Sequence, residues 1–124
     1  NPLTTMGYQC QCTWYAAESV KTAIGRYPNW YLGNASTCAA NAEARGWTVT
    51  SLPRPGSVVV WPAGVAGAGG VGHVGFLHAP RINADGTIDL VLSDKNWTAC
   101  TVRKGVTVRY HPSMRFIVMP AVSA

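Results

Sequence analysis

Acidic side chains are scarce in this 124-residue chain: Glu18, Glu43, Asp85, Asp89 and Asp94 are the whole supply. Five dispersed carboxylates exclude a carboxylate-rich calcium loop or a two-metal cluster, so no metal or other cofactor is expected. Charge of either sign is thin at 12%, about half the usual quarter, while hydrophobic residues reach 48%, which excludes disorder and a coiled coil. No uninterrupted apolar run nears the roughly 18 residues of a membrane span, because Pro62 and the glycines between Gly64 and Gly72 break the longest candidate. A basic tract is missing too. Ten Lys and Arg give a net charge of +5, yet only Arg103 and Lys104 adjoin, which argues against nucleic acid as a partner. The surplus charge suits anionic cell-wall polymers instead. The N-terminus lacks the charged and apolar regions of a signal peptide, so the chain is expected to be cytosolic or a mature or excised piece of an exported protein. Without internal repeat or linker, its length fits one domain over 1–124, expected as a monomer with loose ends at Asn1–Thr5 and Ala121–Ala124.

What the chain does contain falls into two halves. Cys12, Ala16, Val20, Ala23 and Ile24 recur at helical spacing, and Gly25 follows as a stop, which predicts a helix with Cys12 at its N-terminus. Its apolar stripe is small, so the backbone can approach a sheet, and Cys12 lies on that stripe. A second helix is predicted from about Ala35 to Arg45, with Gly46 as its end. Five short β-branched or aromatic runs come after it: Val58–Trp61, His73–His78, Thr87–Ser93, Val106–Tyr110 and Phe116–Met119. Helices first and strands afterwards predict an α+β domain with an antiparallel sheet.

Gly67-Ala-Gly69-Gly70-Val-Gly72 matches the GxGxxG dinucleotide fingerprint in letters only, because the residues after it read as a strand and not as the helix that would meet a pyrophosphate. A strand-to-strand loop accounts for it better. Four cysteines raise zinc, but Cys10-x-Cys12 is not a knuckle spacing, and Cys38 and Cys100 stand alone. Two structural disulfides would be the default on count. The position of Cys12 argues otherwise, since a helix N-terminus stabilises a thiolate and suits a nucleophile.

A nucleophile needs a base, and His73, His78 and His111 are available. The turn signal Asn83-Ala-Asp85-Gly86 makes His73 to Asn96 a hairpin in which opposite residues sum to about 169. His73 is then expected opposite Asn96, with Asp94 on the same face, while His78 points away by the two-residue period. His111, before Pro112, has no such partner. Any lone histidine is by default a satisfied structural residue; the carboxylate and amide grouped with His73 favour catalysis.

These residues, in five blocks, resemble the CHAP domain, the cysteine, histidine-dependent amidohydrolase/peptidase family. The blocks are Gln11-Cys12-Thr13-Trp14-Tyr15-Ala16, Gly33-Asn34-Ala35, Pro55-Gly56-Ser57-Val58-Val59-Val60-Trp61, Gly72-His73-Val74-Gly75-Phe76 and Ser93-Asp94-Lys95-Asn96-Trp97. The resemblance runs from about Tyr8 to Met119 and implies a papain-like α+β fold, with N-terminal helices packed on the antiparallel sheet. It also implies a bacterial or phage peptidoglycan hydrolase, an amidase or endopeptidase, acting as a secreted or cell-wall protein. Cys12 would be the nucleophile, His73 the base, Asp94 or Asn96 its orienting partner, and Gln11 an oxyanion donor beside the Cys12 N–H. Asp94 stands where the family commonly has Glu, and the acidic calcium loop of some members is missing. With Cys12 reserved for chemistry, Cys10, Cys38 and Cys100 are expected to give one disulfide and one free thiol. Trp14, Tyr15, Trp61 and Trp97 flank the motifs and are candidates to line a substrate groove, although core packing is each one's ordinary role. The competing reading is a non-catalytic envelope-binding module that keeps the fold, against which the complete Cys12, His73 and Asp94/Asn96 set argues.

Overall fold

A computed structural model describes residues 1–120; the chain end expected to be loose, 121–124, lies outside the described residues. Helices α1 (Pro2–Thr5), α2 (Cys12–Ile24) and α3 (Cys38–Ala44) precede strands β1 (Val49–Thr50), β2 (Val58–Trp61), β3 (His73–Ile82), β4 (Ile88–Lys95), β5 (Val102–Arg109) and β6 (Arg115–Ile117). The strands form one antiparallel sheet in the order β1-β6-β2-β3-β4-β5. This is the expected α+β arrangement.

Central strand β2 is buried on both faces, and its alternation sorts the core into two layers. Val58 and Val60 meet Cys12, Ala16 and Val20 of α2 together with Trp30, Cys38 and Ala42. Val59 and Trp61 face Leu77, Leu90, Leu92, Met114 and Phe116 on the other side. Ala16 and Ala17 are fully buried, and the small stripe they provide lets α2 lie close against β3. Gly25 ends α2 in the left-handed conformation at φ 83°, its N–H donating to the Lys21 carbonyl.

Several boundaries differ from expectation. Asn1–Thr5 is ordered: the Asn1 side chain caps α1 by accepting from the Leu3 N–H, and Leu3 is buried. The second helix begins as a 3₁₀ turn over Ala35–Thr37 and only then becomes α3. Strand β3 runs past Pro80 to Ile82, because β2 pairs with it only at His73–Phe76. Beyond Leu77 that edge of β3 is unpaired among the described residues, so a residue without an N–H loses no ladder bond there.

The glycine-rich segment is the loop from β2 to β3, as its letters suggested, and not a helix start. It closes at Gly72 (φ 76°), where a Cβ would lie 2.5 Å from the Trp61 carbonyl oxygen and 2.8 Å from Ser36 Cβ. Only glycine passes through that gap, and the next residue is His73.

Cys10 and Cys100 form a disulfide across a sequence separation of 90, leaving Cys12 and Cys38 free and buried. It ties the segment before α2 to the β4–β5 connection. Reduction, or the Cys10→Ser/Cys100→Ser pair, is expected to cost about 2–4 kcal/mol because so long a loop is released in the unfolded chain. Thermal melts with and without dithiothreitol should then differ by roughly 10 °C; coincident melts would refute the estimate.

Candidate active site

Cys12 is the first residue of α2, with Gln11 as its N-cap in an extended conformation, so its sulfur sits at the positive end of a 13-residue helix. The residue is only 8% exposed, beneath the groove and not proud of it. His73 opens β3 directly opposite Trp61 of β2. Its Nε2 lies 2.8 Å from Asp94 Oδ2 on β4, which leaves Nδ1 for the Cys12 thiol. Trp61 and Trp97 both meet the ring edge-on, centroids 5.1 and 5.0 Å away, and lie 6.2 Å from each other.

The register that brings Asp94 here is the one expected: Gly75 pairs with Asp94, and those numbers sum to 169. Asn96 behaves differently. The strand ends at Lys95, Asn96 turns into the left-handed region at φ 68°, and its Oδ1 accepts the Cys100 N–H. Strand alternation therefore no longer governs Asn96, and its recorded hydrogen bond closes the turn and does not reach the imidazole. His78 sits at the bulge between Leu77 and Ala79 and bonds the Ser93 hydroxyl. His111 stays with its own loop, its Nδ1 accepting the Ser113 N–H.

Asp94 is fully buried and takes three bonds. Arg103 Nε donates to Oδ1 at 2.8 Å and Arg103 Nη2 to Oδ2 at 2.5 Å, beside the His73 bond. Burial alone would raise this carboxyl, but the Arg103 and His73 hydrogen bonds outweigh it and hold Asp94 below the usual carboxylate range. For His73, burial opposes the charged ring while the Asp94 hydrogen bond and the nearby Cys12 thiol favour it, with a net rise. Cys38 is different: burial, reinforced by Cys12 nearby, pushes its thiol up to about 12. That makes Cys38 a core side chain and not a second nucleophile.

Two cavities meet at Cys12. One of about 420 Å³ is lined by Tyr8, Gln11, Cys12, Tyr31, Leu32 and Asn34 among others. The second, about 290 Å³, is lined by Gln11, Cys12, the Gly67–Gly72 loop, His73, Asn96 and Trp97. Gln11, Cys12 and Val71 line both cavities.

A family model for the CHAP domain matches residues 3–102. The chain belongs to the CHAP domain family. A putative hydrolase of Streptococcus mutans is 34% identical over 90 residues, covering 70% of this chain and 37% of that protein. An N-acetylmuramoyl-L-alanine amidase domain-containing protein of Staphylococcus aureus is 36% identical over 87 residues, covering 69% of this chain and 13% of its own length. The crystal structure of an N-acetylmuramoyl-L-alanine amidase from Staphylococcus aureus superposes with a TM-score of 0.72 at 28% identity, over 90% of this chain and 31% of that one. The chain therefore spans well under half of each relative.

Within this CHAP domain the four expected aromatic groove residues separate. Trp97 lines a cavity beside Cys12. Trp61 is fully buried behind His73, and Trp14 donates to the Thr4 hydroxyl while Lys95 sits over its ring. Tyr15 is half-buried on α2. None of these three lines either cavity. Tyr8 and Tyr31, which lie outside the motif blocks, line the cavity of about 420 Å³. In the sequence Arg103 is one of ten scattered bases with nothing to single it out; its pairing opposite Asp94 depends on where β5 begins, which is Val102 and not the expected Val106.

Proposed function

We propose that this chain hydrolyses an amide bond of peptidoglycan through a cysteine acyl-enzyme, acting as one catalytic domain. The observation that carries the reading is the relay from Cys12 at the start of α2 through His73 to a buried, ionised Asp94. The Cys12 proton passes to His73 Nδ1, and the thiolate attacks the carbonyl carbon. The Cys12 N–H and the Gln11 side chain are the donors for the developing oxyanion, a role worth about 3–4 kcal/mol per donor. His73 then protonates the leaving amine, and the C–N bond breaks. Water, deprotonated by His73, attacks the thioester and releases the carboxylic acid and free thiol. Asp94 fixes the ring with Nε2–H toward itself.

The amidase names of the relatives favour the sugar–peptide junction over a peptide bond within the stem or bridge. A disulfide and a wall polymer as substrate favour action outside the cytoplasm, as a secreted enzyme or a phage lysin, with the net charge of +5 favouring contact with anionic wall polymers. Digestion of purified peptidoglycan followed by mass spectrometry of the fragments tests activity and bond together. Free muropeptide stems with new N-terminal amines on alanine are expected; undigested peptidoglycan would overturn the reading. The same digestion should proceed unchanged in EDTA, because the thiol route needs no Lewis acid and, among the described residues, no three His, Cys, Asp or Glu side chains cluster as ligands. Loss of activity on chelation, restored by calcium or zinc, would refute that expectation.

A further inference from the structure

We propose that Arg103 is a positioning residue of the reaction, a fourth member of the relay that fixes Asp94 and balances its charge when Cys12 gives up its proton. The proposal rests on the catalytic reading of Cys12 and His73. Its first support is geometric. Asp94 and Arg103 are opposite partners on β4 and β5, and the guanidinium forks onto both carboxylate oxygens, at 2.8 and 2.5 Å. The same guanidinium lies 4.9 Å from the Trp97 ring, and Trp97 in turn flanks the imidazole. One side chain thus contacts Asp94 and Trp97, two of the groups packed against His73. With three donors on two oxygens, the carboxylate keeps a single orientation, and His73 Nε2 meets an oxygen that cannot rotate away.

The second support is charge counting. Arg103 and Asp94 cancel, so the reactive pair of thiolate and imidazolium forms within a neutral set. With His73 protonated, loss of the Cys12 proton to solvent takes the set from +1 to neutral when Arg103 is present and from neutral to −1 when it is absent. A buried site facing that negative charge relieves itself by keeping the proton on sulfur until higher pH. Few other ionisable groups intervene. On α3, Cys38 keeps its proton through neutral pH. Lys95, beyond Asp94 on β4, donates to the Gln9 carbonyl oxygen and lies over Trp14, while His78 on β3 bonds Ser93.

The test is the pH dependence of Cys12 alkylation by iodoacetamide in the intact, disulfide-bonded protein, read by mass spectrometry, alongside turnover. In Arg103→Met the alkylation profile is expected to move to higher pH by about one unit, and kcat to fall roughly 100-fold as the ring loses its fixed partner. Arg103→Lys keeps the charge without the fork, so its alkylation profile should return toward wild type while kcat stays about tenfold down. A wild-type alkylation profile in Arg103→Met overturns the proposal. If that variant does not fold, Arg103→Gln takes its place under the same criterion. Because alkylation needs no peptidoglycan, failure of the wild type to digest the wall would sink the functional reading without touching this measurement.

Discussion

Cys12→Ala should abolish peptidoglycan hydrolysis, lowering kcat by about 10⁴-fold or more, since nothing else at the start of α2 supplies a nucleophile. The loss is expected without unfolding. Cys12 is buried among Ala16, Ala35 and Cys38, and removing one sulfur from such small neighbours costs about 1 kcal/mol. Cys38 cannot substitute, because burial keeps its thiol protonated through the neutral range. Circular dichroism and a thermal melt of the variant, beside a turbidity assay on purified walls, separate the two effects. Wild-type turnover by a folded Cys12→Ala protein would end the acyl-enzyme mechanism, whatever the family.

Why Cys12 was readable in the letters, and Arg103 was not, follows from the range of the interactions involved. The helix α2 is specified locally: small residues at helical spacing, then a glycine able to take φ 83°. Hairpin register is nearly as local, although the pairs next to the turn sum to 170 and the bulge between Leu77 and Ala79 brings the sum to 169 from Leu77 back to Gly75. The rule fails where the strand itself stops. Asn96 leaves the ladder because the Cys10–Cys100 disulfide and a four-residue turn take over, and no period-two pattern announces that event. Arg103 depends on a third strand whose start is set by the same turn. Aromatic roles were the least legible. Trp61 and Trp97 sit equally close to motifs, yet one is packed behind the imidazole and the other is partly exposed beside the thiol. Trp61 lies within β2 and is covered by the core, whereas Trp97 follows the end of β4 and packs against the β2–β3 loop, where a Cβ at Gly67 would lie 3.1 Å from its ring.

Asp94→Asn is expected to be nearly as damaging as loss of the nucleophile, with kcat down about 10³–10⁴-fold. The carboxylate accepts from Arg103 Nε on one oxygen and from Arg103 Nη2 and His73 Nε2 on the other. An amide has one acceptor oxygen and one NH₂. If the oxygen stays with Arg103 Nε, the NH₂ faces Nη2 and forces the imidazole to accept at Nε2, which puts the ring proton on Nδ1, facing Cys12. If the amide flips, Arg103 Nε meets a donor, and the fork opens. Either arrangement disables the base or loosens its support. The pH dependence has a definite sign. Asp94 raises His73, so removing its charge should move the alkaline limb of kcat to lower pH. Stability follows linkage: a carboxyl held low in the native state stabilises above its unfolded value and loses that contribution as pH falls through its native one. Urea unfolding of wild type and Asp94→Asn should therefore differ at neutral pH, with the difference shrinking only below about pH 4 and vanishing once the pH is under the native value of Asp94. An alkaline limb that stays in place, with turnover within tenfold of wild type, would show that Asp94 serves the sheet and not the base.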